Sequence, residues 1–391
     1  MNDRAISLLE QYDIEVLRTR KGRGTFICDT KQGTVLMKEY TGHPEKLTFQ
    51  QQILRQVKDT GLVRTEELLL NKENQLYVKD NDGVLYIVKT CFEGSECNIY
   101  DGRECVEAMR VLAKLHESMD RARDAIWEER LSAVQGDTLH GEQISSAVQE
   151  DSLHGEQSSS AVQAASVQDV GRSDKMTAST WENTAAGIPL AVSSPLKEYE
   201  KHNRELIRIW SYLKKKGQKQ IFEIRLLGVM EYFVNQAKKV TESWREIETI
   251  AAAQKPGIPA FCHGDYQYHN IIRTQEGWCV LNFEKMLMDN PVRDVYLFMR
   301  KVMEKNNWPV SLGKEMMAAY EVIRVLEKRD RQDLYHRFAY PEKFWKIANF
   351  YYNSGKAWIP EKNLEKLEKV ISQEKEKQVF LREVFKESIQ V

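Results

Sequence analysis

The stretch AFCHGDYQYHNII, residues 260–272, sets two histidines, an aspartate and an asparagine within the eight positions 263–270. Three readings compete for it: ligands of a metal ion, the catalytic loop of a phosphotransferase, or a polar loop held by its own caps. The metal reading is weak. His263, Asp265 and His269 are ligand-type residues, but the histidines stand six apart instead of the four that would put both rings on one helix face. They also follow the helix-breaking PGIP at 256–259, and no Cys/His cluster elsewhere completes such a site.

The phosphotransferase reading demands more of the chain. Such a loop needs an aspartate to receive the proton of the attacking hydroxyl, and an asparagine after four intervening residues to help hold magnesium. Asp265 and Asn270 have that spacing. A strand, a tight turn and a second strand should follow, and RTQEGWCVLNFEK supplies them, turning at Gly277. The second strand should end in a metal-binding acid; Asn282 stands there. Upstream, a glycine-bearing turn should let backbone approach phosphate, and KGRG offers Gly22 and Gly24. A lysine on the third strand should meet the α/β-phosphates, and Lys38 in TVLMKEY is so placed. Each feature alone has a plain explanation as a hairpin turn, a solvated strand lysine or loop capping. Together, in the right order, they point to a kinase-like fold.

The surrounding chain agrees. IEVLRT, GTFICDT and TVLMKEY are short β-prone runs, followed by the helical LTFQQQILRQV and by QLYVKD and LYIVKT around the hairpin signal NDG. From about Asp101 the periodicity is helical, with Val106, Met109, Leu112, Ala113 and His116 on one face. The expectation is an α+β, protein-kinase-like two-lobed fold. A small antiparallel-sheet lobe spans 1–92 and a larger, mainly helical lobe spans 93–391. Residues 130–194 interrupt the second lobe with a 14-residue repeat (SAVQGDTLHGEQIS, SAVQEDSLHGEQSS, SAVQAASVQDVGRS). Polar sequence of this kind cannot bury enough apolar surface to offset the entropy of ordering it, so a disordered insertion is expected, with His140 and His154 solvated. The aromatic run at 344–358 reads as helix core, with the lining of an acceptor pocket as the alternative.

Bulk composition narrows the function classes. With 57 basic and 58 acidic residues, the net charge of -1 gives no field for nucleic acid or an anionic membrane. The first residues alternate charge and form no secretory leader, and no run is long and apolar enough to span a bilayer. Six scattered cysteines without a C-x-x-C pair read as reduced thiols of a protein made in the cytoplasm.

HGDYQYHN resembles the H-G-D-x-x-x-x-N loop of the aminoglycoside and choline kinase superfamily. The opening LLEQYDIEVLRTRKGRGTFICDT, LMKEYTG, FEGSEC and NFEK…DNPVRDVYLFMRK together resemble CotS-type spore-coat proteins, kinase-like proteins of endospore-forming bacteria. The resemblance covers nearly the whole chain outside the repeats. It implies Asp265 as catalytic base, Asn270 as metal ligand and Lys38 as nucleotide lysine. It implies Lys89 to Glu93, with Cys91, as the hinge beside adenine, and a structural role for His263 and for Asp294 as the brace of the loop. ATP and Mg2+ are the implied cofactors, other spore-coat proteins the implied partners, and the spore coat the implied destination.

Two departures matter. Asn282 replaces the metal-binding aspartate, and Gln50 or Gln51 stands where a helix glutamate should pair with Lys38, leaving Glu45 as the nearby acid. Glu284, on the same side as Asn282 if the strand continues, is the candidate replacement ligand. A neutral amide is a poor magnesium ligand. The expectation is therefore a coat component with weak or lost phosphotransfer. The alternatives are an active ATP-dependent phosphotransferase acting on a hydroxyl-bearing small molecule, or a plain nucleotide-binding module.

Overall fold

Alternation along the strands builds the small lobe. The computed structural model describes residues 3–22, 24–148, 195–252, 260–353 and 360–386. Strands β1 (Val16–Gly22), β2 (Thr25–Thr30) and β3 (Gly33–Tyr40) form successive antiparallel hairpins. After helix α1 (Pro44–Asp59) come β4 (Arg64–Thr65), β5 (Val78–Lys79) and β6 (Leu85–Thr90), giving a five-stranded sheet of order β1-β2-β3-β6-β5. Phe26, Cys28, Val35, Met37 and Val88 face one side, where they pack on Leu9 and Tyr12. The opposite side carries Leu36 and Lys38 of β3 with Ile87 and Lys89 of β6. Leu36 pairs with Lys89 and Lys38 with Ile87, so the two lysines are diagonal neighbours on one face. Helix α1 covers that face through Leu47, which packs with Ile87. Pro44 starts the helix at a position where its missing N–H costs nothing.

A second sheet ties the segments before and after the helical part together. Its order is β4-β10-β9-β7, with β7 at Ser95–Glu96, β9 at Ile271–Thr274 and β10 at Gly277–Val280. The β4–β10 pairing is parallel and sets Thr65 beside Val280. A further pair joins β8 (Ala260–Cys262) to β11 (Leu287–Asp289). The larger lobe consists of α2 (Gly102–Val148), α3 (Pro195–Lys215), α4 (Ile221–Ala252), α5 (Val292–Asn306), α6 (Val310–Glu321), α7 (Lys328–Ala339), α8 (Glu342–Asn353) and α9 (Pro360–Val384). Leu112, Leu206, Phe233, Phe298, Phe338 and Phe380 are among its buried core residues.

The expected fold class stands, with local differences. The chain opens with a 3-10 helix, Asp3–Gln11, and QLYVKD contributes only the two residues of β5. Strand β4 has no local sequence signal, and β10 ends at Val280, before Asn282. Helix α2 extends to Val148 and so carries the first repeat; the rest of the insertion, residues 149–194, lies outside the described residues. In the aromatic run, Phe344 and Ile347 are buried while Phe350 and Tyr352 are exposed.

Candidate active site

The HGD loop is built from behind. β8 leads into His263, and Gly264 adopts φ +77; a Cβ there would sit 2.1 Å from the Lys285 carbonyl oxygen, so only glycine fits. Asp294, in the first turn of α5, accepts hydrogen bonds from His263 N at 2.6 Å and Gly264 N at 2.9 Å. His116 Nε2 donates to the same carboxylate at 3.2 Å, while its Nδ1 meets Tyr320 OH at 2.8 Å. Burial alone would raise the Asp294 carboxyl, but His116, His263 and the Gly264 amide hold it below the usual carboxylate range. The His263 Nε2–H donates to Leu281 O at 2.8 Å, leaving Nδ1 to accept from Asp265 N at 3.1 Å. That is a neutral imidazole, and burial pushes its pKa down in spite of Asp294.

This frame presents an Asp265 whose two oxygens are both engaged. Gln267 Nε2 donates to Oδ1 at 2.6 Å and Lys285 Nζ to Oδ2 at 2.9 Å. Partial burial raises the carboxyl, but Lys285 and Gln267 outweigh it and hold it below its ordinary value. Asn270 Nδ2 donates to Asp265 O at 2.8 Å, and its Oδ1 accepts from Asn282 Nδ2 at 2.7 Å. Asn282 itself sits in the left-handed region (φ 67, ψ 60), a conformation asparagine tolerates better than most residues.

The remaining oxygens converge on Lys89 as acceptors. Its ammonium lies 2.7 Å from Asn282 Oδ1, 2.7 Å from Glu284 Oε1 and 2.8 Å from Glu66 Oε2. Lys38 Nζ lies 3.2 Å from the same Glu284 oxygen, and Lys46 Nζ donates to the Glu284 carbonyl at 2.7 Å. Burial pulls the Lys89 ammonium down in pKa, but Glu66 and Glu284 raise it further, so it stays charged. Burial likewise raises Glu284, and Lys89 and Lys38 overcome it, bringing its pKa down to about 2. Glu66 also holds the turn that follows β10, where its carboxylate accepts from Asn282 N at 2.8 Å and Phe283 N at 3.2 Å. The β4–β10 register explains this, because Glu66 follows Thr65 and therefore meets the residues that follow Val280.

Several expected placements change. Lys89 belongs to β6, and its side chain enters the ion cluster instead of the connection to β7, where Cys91 and Glu93 lie. Glu284 does not continue a strand; the left-handed turn at Asn282 puts it in the 3-10 turn Phe283–Lys285. Gln51 is engaged by the backbone of Leu68, donating to its carbonyl and accepting from its amide, both at 3.3 Å. Gln50 is fully buried, with neither amide atom partnered among the described residues. Glu45 is exposed beside His43. Gly22 and Gly24 do form the β1–β2 turn, and Gly24 takes φ +69. Glu66 and Lys46 escaped the sequence reading, since neither lies in a motif.

A divalent cation does not fit this donor set. Of the oxygens at the expected metal positions, those of Asn270 and Asn282 are neutral amides already bonded, and Glu284 is shared by two lysines. Among the described residues no group of three or more His, Cys, Asp or Glu is arranged to hold a metal ion.

The fold is one shared with solved phosphotransferases. An aminoglycoside phosphotransferase of Alicyclobacillus acidocaldarius superposes over 100% of this chain and 97% of its own, with TM-score 0.73 and 16% identity. A spectinomycin phosphotransferase solved with ADP and spectinomycin superposes over 100% and 99%, with TM-score 0.52 and 12% identity. An amicoumacin kinase solved with AMP-PNP and Ca2+ does so over 97% and 94%, with TM-score 0.54 and 7% identity. The sequence matches are to spore-coat proteins. Residues 193–384 match the family model described as spore coat putative kinase YutH. Spore coat protein S of Bacillus subtilis (strain 168) is 28% identical over 123 residues, 31% of this chain and only 35% of that relative's length. The resemblance to CotS-type spore-coat proteins read from the sequence is thus matched by residues 193–384 and by the 123-residue alignment with spore coat protein S. Among the described residues no helix is long and apolar enough to cross a membrane.

Proposed function

We propose that this chain is a spore-coat component of kinase-like fold in which metal-dependent phosphotransfer is weak or lost. The observation that carries the proposal is the bond between Lys89 Nζ and Asn282 Oδ1: at the position where a carboxylate should bind magnesium, an amide is engaged by the protein's own ammonium. Phosphoryl transfer depends on metal ions to neutralise charge on the β- and γ-oxygens, so a site that repels them forfeits much of its rate. Other coat proteins are the partners this reading implies, by analogy with the named relatives. Lys38, partly accessible, and the Gly22–Gly24 turn are the elements that would meet a nucleotide, with Cys91 and Glu93 on the connection beside it. Fold alone does not grant activity.

The experiment is ATP turnover by the full chain in magnesium, with and without hydroxyl-bearing acceptors, alongside Asp265→Asn. Both proteins are expected at background, and the chain is expected in the coat fraction of spores. A second reading, an active small-molecule phosphotransferase, has in its favour the intact brace of Asp294 on the HGD loop. Turnover that disappears in Asp265→Asn would establish that reading instead.

A further inference from the structure

We infer that the Lys89 ammonium is the resident cation of this cleft, standing in the place that a divalent metal ion takes in a metal-dependent phosphotransferase. The inference rests on the reading that this chain has no working metal site, and it names what fills that site.

Three oxygens from two segments distant in sequence surround one Nζ: Glu66 Oε2 after β4, and Asn282 Oδ1 and Glu284 Oε1 in the turn after β10, at 2.7–2.8 Å. Two of the three come from the segment that should supply the metal-binding acid, and the other arm of the Asn282 amide rests on Asn270, the second expected ligand. These separations suit N–H···O bonds; magnesium draws oxygens to ~2.0–2.1 Å. Lys89 and Glu66 expose no surface and the Glu284 side chain keeps 14% of its own, so the ammonium fills the inner end of the site. Its charge is already met: Lys89 and Lys38 face the carboxylates of Glu66 and Glu284. A metal ion would add two positive charges beside two ammonium groups at low effective dielectric. The backbone of Lys89 is also held, by pairing with Leu36 of β3 on one side and a bridge to Leu68 on the other. The same atoms without the ammonium would form a cage of two carboxylates and one amide, a donor set that divalent cations accept.

The test removes the ammonium and supplies a metal. Full-length wild type, Lys89→Met and Lys89→Gln are heated with and without millimolar Mn2+, and bound Mn2+ is counted by electron paramagnetic resonance. The wild type is expected to show no shift. Both variants should melt lower, bind one Mn2+ per chain and recover several degrees with it, as a ligand of the native state must produce. The recovery should vanish in Lys89→Met/Glu66→Gln. Folded Lys89 variants that ignore Mn2+ would overturn the inference and leave the proposed function standing. So would failure of both variants to fold in Mn2+. A wild type that binds Mn2+ in the presence of ATP, with Asp265→Asn unaffected in binding, would instead overturn the proposed function together with the inference.

Discussion

Lys89 Nζ and Glu66 Oε2 lie 2.8 Å apart, and neither side chain has any exposed surface. Removing one member of such a pair leaves a charge in the interior without its partner, which costs about 3–5 kcal/mol. Lys89→Met in metal-free buffer is expected to lose about that much in urea unfolding. Lys89→Met/Glu66→Gln should lose less, because the remaining carboxylate, Glu284, still faces Lys38. Equal losses in the single and double variants would show that packing, not charge, governs the site.

Placing an acid at position 282 is not expected to make a metal site by itself. Asn282→Asp replaces an Nδ2 donor with an oxygen facing Asn270 Oδ1, so one buried hydrogen bond is exchanged for repulsion. Lys89 remains in place to neutralise the new carboxylate. The variant should fold with a loss of about 1–2 kcal/mol, bind no Mn2+ by resonance, and turn over ATP at the wild-type background.

The brace of the HGD loop should be intolerant of change. Gly264→Ala would combine a left-handed backbone with a Cβ 2.1 Å from the Lys285 carbonyl. A loss of about 3 kcal/mol or more is expected, seen as a fall in the urea midpoint. Asp294→Asn keeps the shape but loses the charge that serves His116 and two backbone amides. It should cost about 2–3 kcal/mol.

One pH effect lies away from the cleft. The ring of His202 stacks on Trp345 at 3.4 Å and is nearly fully buried, and its Nδ1 has no partner among the described residues. Burial pulls its pKa down to about 4, against the pull of Glu205 and Glu342. In the unfolded chain the histidine takes up its proton near pH 6.5. Its share of stability is thus intact above 6.5 and is lost as pH falls from there toward 4. Between pH 6.5 and 5 the loss should reach about 2 kcal/mol. His202→Phe should flatten that part of the pH profile in chemical denaturation, while the wild type falls.

Local periodicity made much of the fold legible. The alternation in GTFICDT and TVLMKEY became β2 and β3, and the buried Leu47, Phe49, Ile53, Leu54 and Val57 of α1 follow the helical spacing read from the sequence. Asp265, Asn270 and the glycine turn were visible because side-chain type and spacing suffice to mark a loop. The cluster around Lys89 was not. Glu66 meets Asn282 across 216 residues through a strand of two residues, too short to leave a pattern. The turn at Asn282 then carries Glu284 off the expected strand and against two lysines.

The sequence by itself determined the two-lobed architecture, the HGD loop and the missing acid at position 282, because strand and helix periods and motif spacing are written in neighbouring residues. Only the tertiary structure decided what the missing acid meant. Which cation neutralises Glu284 depends on the packing of β4, β6 and the turn after β10 around one largely buried site, and that choice is made by long-range contact and desolvation.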